Sequence, residues 1–169
     1  MKTVTDSFSL ACSPATFWQT FLDENYARSL YGEALGFQSF QILERTENSR
    51  RTLCVPKINL PGPLAKLVGN GFAYEEHGTL DSAKNEWTWR MVQPAGQTGK
   101  KLITTSGVTR ITAIGDGACK RADEVVIEAN VFGLGGMIES TIEKEVRAGW
   151  SKEIAFLQRW LVSHAPPKV

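Results

Sequence analysis

Two histidines, three cysteines and a scatter of carboxylates and arginines are the residues of this chain able to carry chemistry. His77 falls in a strand-like stretch and His164 near the C-terminal end. A metal centre needs three or four converging ligands. Cys12, Cys54 and Cys119 are widely spaced and form no Cys-x-x-Cys pair, so neither a zinc knot nor a disulfide framework is expected. The H-E-x-x-H, G-x-S-x-G and P-loop patterns are all missing. Gly69-Asn70-Gly71 and the run from Gly133 to Gly136 do not sit inside a βαβ unit, which excludes a dinucleotide fingerprint. No metal, cofactor or catalytic residue is therefore assigned, and each cysteine reads as a small buried hydrophobe.

What remains is chemistry on strand faces and one helix face. Along 86–93, alternation separates Trp87, Trp89 and Met91 from Glu86, Thr88, Arg90 and Val92. The aromatic set is expected to point inward, because its burial stabilises most. On 102–114, Thr104, Ser106, Val108, Arg110 and Thr112 share a face; Arg90 and Arg110 are read as solvent-facing.

These residues must be positioned by elements whose periods are legible. Val4, Phe8 and Leu10 alternate in a first strand over 3–11. Ser13-Pro14 opens a helix with the stripe Phe17, Trp18, Phe21 and Leu22, and a second short helix covers 24–35, stopped by Gly36. Three hairpins follow: 37–45 with 51–58, 73–80 with 86–93, and 102–114 with 119–131. Between the first two lies NLPGPLAKLVGNGF, residues 59–72, more apolar than a surface loop. It reads either as a loop folded onto the core, or as a lid or a membrane- or protein-touching segment through Leu64, Leu67 and Val68.

Residues 134–163 form one long helix. Leu134, Ile138, Ile142, Val146, Phe156, Leu157 and Trp160 share an apolar sector, interrupted by Gly149 and by Glu145 and Glu153 inside it or at its edge. Close packing at Gly149 and rim salt bridges explain these breaks in one reading. In the other, the helix face lines a cavity where a carboxylate meets a ligand.

With 169 residues, 42% hydrophobic and 22% charged, the chain fits one soluble globular domain over 1–169. A balance of 19 basic against 18 acidic residues argues against nucleic-acid binding. No stretch reads as a leader or a membrane span, so a cytoplasmic location is expected.

The order strand, two helices, six antiparallel strands, helix predicts an α+β fold: a seven-stranded curled sheet wrapped on the C-terminal helix. It resembles the START/SRPBCC superfamily, the helix-grip fold of lipid-transfer START domains, pollen-allergen-type proteins and polyketide cyclases. The junction Val131-Phe132-Gly133-Leu134-Gly135-Gly136-Met137-Ile138-Glu139, the Arg159-Trp160-Leu161 motif, Val55-Pro56 with Leu60-Pro61, and Tyr74-Glu75-Glu76 are similar to a bacterial START-like family of unknown function. Glu139, in the first helical turn, is read as a structural cap.

The resemblance implies a hydrophobic small molecule, lipid-like or polyketide-like, bound in an internal cavity. Trp87, Trp89, Met91, Leu134, Ile138, Ile142, Glu145, Val146, Gly149, Leu64, Leu67 and Phe72 are expected to line it. The competing reading is a cyclase-like enzyme drawing on Glu145, His77, Tyr74 and Arg90. A third is a transient membrane contact. A monomer or weak dimer is expected.

Overall fold

The computed structural model describes residues 1–57, 62, 72–94 and 103–164. Strand β1 (Lys2–Leu10) is followed by α1 (Pro14–Phe21) and α2 (Glu24–Ser29), which runs on as a π-helical turn (Leu30–Ala34). Then come β2 (Ser39–Arg45), β3 (Ser49–Val55), β4 (Tyr74–Asp81), β5 (Glu86–Val92), β6 (Ile103–Ala113), β7 (Cys119–Ala129) and α3 (Gly135–Ser163). All seven strands form one antiparallel sheet in the order β1-β7-β6-β5-β4-β3-β2. This is the expected α+β helix-grip architecture.

Local chemistry explains the helix starts. The Ser13 hydroxyl accepts the Thr16 N–H at 3.1 Å with Pro14 in the first turn, and Asp23 accepts the Tyr26 N–H at 2.8 Å. The second helix was expected to run uniformly to residue 35; instead its last turn widens, with Leu35 N–H reaching the Leu30 carbonyl. Such π turns recur at functional sites because they re-aim one side chain. Here it carries Tyr31, which stacks on Phe40 at 4.2 Å.

Helix α3 lies over β1, β7 and the π turn. Ile138, Trp150, Ile154 and Leu157 are its buried apolar residues. Trp150, absent from the predicted sector, packs with Val4, Val125 and Ile127. The buried face is therefore rotated from that sector toward Val146, Trp150 and Leu157. At 3.6 residues per turn, Glu145 lies about 120° from its centre and is exposed. Glu139 is not in the first turn; its carboxylate reaches back to accept the Ala129 N–H at 3.2 Å, tying the end of β7 to α3.

Candidate functional site

Strand parity decides what faces the helix. On β5, Trp87 and Trp89 point inward, as alternation predicts, and each indole lies over a glycine of a neighbouring strand. A Cβ at Gly78 would come within 1.9 Å of the Trp87 ring, and one at Gly107 within 2.6 Å of Trp89. Only glycine admits these rings so close to the sheet.

The same parity carries ionisable residues inward. Arg50↔Gly78, Thr52↔Glu76 and Cys54↔Tyr74 are direct partners of β3 and β4, and Glu76↔Met91 joins β4 to β5. The concave face of β3–β5 therefore presents Arg50, Cys54, Tyr74 and Glu76 beside Trp89 and Met91. The π turn adds Tyr31, which lies within electrostatic reach of Glu76, Cys54, Tyr74 and Arg50.

Two charged side chains on this face make no direct ion pair among the described residues, with each other or with a third group. Arg50 is 5% exposed. One of its guanidinium nitrogens donates to the Phe21 carbonyl at 2.9 Å, and the group stacks over Phe21 and Trp87. Its Nε has no acceptor, and no carboxylate of the described residues pairs with it. Glu76 is half-buried on the inward side of β4, and it accepts no hydrogen bond from the described residues. Burial raises its pKa; Arg50 opposes this, and the negative charge of Glu153 adds to it. Burial likewise pushes the Cys54 thiol up to about 12 and lifts Tyr31 and Tyr74 well above the usual phenol range.

Toward α3 the interior charge is paired. Arg121 of β7 donates to Asp123 at 2.7 Å and to both oxygens of Glu153 at 2.7 and 3.0 Å, while the Thr109 hydroxyl donates to Asp123. Burial opposes the charge on Arg121, but Glu153 and Asp123 together outweigh it and keep the guanidinium ionised. Two carboxylates share one guanidinium, and burial lifts the Asp123 carboxyl.

The expected lining residues are placed as follows. Trp87 is 1% exposed and consumed by the core. Trp89, Ile142 and Val146 meet around the Val4–Trp150 cluster. Met91 is half-buried and accepts the Thr105 hydroxyl, and Phe72 is half-buried against Tyr74. Ile138 is buried and Leu134 half-buried at the start of α3. Gly149 shows no close packing among the described residues, where a Cβ would meet nothing within 4 Å. Glu145 is exposed, which corrects its placement in the buried sector. Leu64 and Leu67 lie outside the described residues.

Of the cyclase-type candidates only Tyr74 faces inward. His77 and Arg90 are cross-strand partners on the convex face, and Arg110 pairs there with Glu86 at 2.8 Å. By sequence the basic pairs Arg50-Arg51 and Lys120-Arg121 read as solvated turns; the structure corrects this, burying Arg50 and Arg121 on inward strand positions, and Glu76 was missed as a site residue. The one available signal was parity within Tyr74-Glu75-Glu76, where Glu76 shares a face with Tyr74. Among the described residues no group of three or more metal-ligating side chains converges, and no helix is long and apolar enough to cross a membrane.

A family model described as "Protein of unknown function (DUF2505)" matches residues 5–161. No curated protein matches. Among solved structures, the Zhui aromatase/cyclase from Streptomyces sp. R1128 is 13% identical with a TM-score of 0.70, covering 99% of both chains. Norcoclaurine synthase from Thalictrum flavum, in complex with dopamine and hydroxybenzaldehyde, is 14% identical with a TM-score of 0.66, covering 98% of this chain and 88% of the other. A START superfamily protein from Mycobacterium smegmatis is 12% identical with a TM-score of 0.62, covering 95% and 97%. At such identities the likeness is one of fold.

Proposed function

Because the chain belongs to the DUF2505 family, whose description assigns no activity, we propose a function from its own residues: it binds a hydrophobic small molecule bearing a polar group against the concave face of β3–β5. Glu76 carries this reading. An inward-facing carboxyl with no donor among the described residues, whose charge burial disfavours, is costly unless it holds a proton or meets a ligand. Met91, Trp89 and Tyr31 offer apolar contact around it, and Glu76 offers a hydrogen bond to a hydroxyl or carbonyl. The fold supports the reading, since the norcoclaurine synthase above holds two small aromatic molecules.

Native mass spectrometry of protein purified from its own host tests it. A discrete small-molecule adduct is expected, reduced in Glu76→Ala and displaced by a hydrophobic fluorescent probe. Protein free of adduct that also ignores the probe would refute the proposal.

A second reading, cyclase-type catalysis, is favoured by the raised pKa of Glu76 beside Tyr74. A carboxylate there takes a proton from carbon next to a carbonyl, and the resulting acid returns it to the oxygen that gains charge. A poly-β-ketone substrate should give a shifted product distribution with wild type and not with Glu76→Gln. Identical products from both would leave binding alone.

A further inference from the structure

On the convex face the strand register lines up Glu44, Arg51, His77, Arg90 and Ser106 as one row, each the direct partner of the next. At about 4.8 Å per strand, Arg51, His77 and Arg90 span roughly 10 Å. A groove of about 430 Å³ opens along this row, and Thr79 and Thr88, another cross-strand pair, also line it.

Two guanidiniums on one sheet face about 10 Å apart make a local field that attracts negative charge. Part of that charge is internal. Arg51 pairs with Glu44 at 3.2 Å and with Glu75 at 3.3 Å, and Glu75 also holds His77 Nε2 at 2.8 Å. The two carboxylates are thus matched at one end of the row. Arg90, at the other end, has no hydrogen bond or ion pair among the described residues, and its exposed guanidinium lines the groove.

We infer that this groove is a second binding site, separate from the concave one, for a phosphate-bearing molecule. The planar fork of Arg90 takes phosphate oxygens in bidentate fashion. The hydroxyls of Thr79 and Thr88 donate beside it, and the Arg51–Glu75–His77 cluster forms a fixed wall. The phosphate belongs either to a soluble ester or to a lipid headgroup.

Calorimetric titration with pyrophosphate at low ionic strength, where exposed charge is least screened, tests the site. Wild type is expected to bind saturably at one site, with affinity about tenfold weaker in Arg90→Gln. Arg110→Gln, which removes a convex-face guanidinium outside the groove, should bind as wild type. In a second arm, co-sedimentation with phosphatidic-acid vesicles that depends on Arg90 assigns the phosphate to lipid, and pyrophosphate binding alone assigns it to a soluble ester. Binding in neither arm, Arg90→Gln behaving as wild type, or equal losses in both variants would overturn the site.

Discussion

Glu153 of α3 clasps Arg121 of β7 through two hydrogen bonds of 2.7 and 3.0 Å, 32 residues apart in the chain and almost out of solvent. This is the fastening by which the helix holds the sheet at depth. Asp123 completes it from the same strand.

Removing the shared guanidinium strands two carboxylates, Asp123 and Glu153, at a cost of about 3 kcal/mol or more. Arg121→Met is therefore expected to lower the denaturant midpoint strongly with little change in slope. Arg121→Met/Asp123→Asn/Glu153→Leu, which removes the charge at all three positions and keeps the volume, should recover much of that loss. A triple variant as unstable as the single one would show that the cluster's own attraction dominates.

The carboxyl of Glu76 titrates above its ordinary value of 4.5, because burial disfavours its charge. The folded state therefore binds this proton more tightly than the unfolded chain. The stabilisation is present below pH 4.5 and is lost as pH rises from there through the folded pKa. In Glu76→Gln that loss disappears. The stability of wild type minus that of the variant should thus fall as pH climbs through this window, measured by urea unfolding across a pH series. A flat difference would mean that Glu76 is solvated like a surface carboxyl.

Gly149 sits in mid-helix with none of the described residues within 4 Å of an added Cβ. Gly149→Ala is expected to stabilise by up to about 1 kcal/mol through helix propensity alone. A Gly149→Trp variant separates open space from a ligand wall. If the helix face here borders the bound molecule, the indole weakens the adduct without unfolding the protein.

Gly78 is the opposite case. Its missing side chain is where the Trp87 ring lies, with 1.9 Å to an ideal Cβ. Gly78→Ala forces the ring or the strand to move and is expected to cost about 1–3 kcal/mol. Pairing it with Trp87→Leu should relieve part of the strain, readable as non-additive melting temperatures.

Much of the frame was legible in the sequence. Period-two patterning and turn residues located all seven strands to within about three residues of their ends, and Ser13-Pro14 marked a helix start through its own capping chemistry. The inward set Trp87, Trp89 and Met91 followed from alternation, because a large aromatic side chain leaves little choice of face. The long helix was placed correctly in length. Its buried face was not, because Trp150 and Ile154 outweigh the sector suggested by Ile142 and Phe156, and that turned Glu145 out to solvent.

The charged interior was decided only by tertiary structure. Arg50, Glu76, Arg121 and Asp123 occupy inward positions that a hydrophobic pattern reads as breaks in the period, and nothing local reveals whether a carboxylate there is paired. Pairing depends on residues far along the chain: Glu153 answers Arg121, and no described residue answers Glu76. Alternation and capping are properties of neighbours in sequence and are written there. The free energy of a buried charge depends on what the fold brings within a few ångströms of it, and that exists only once the sheet has closed over the helix.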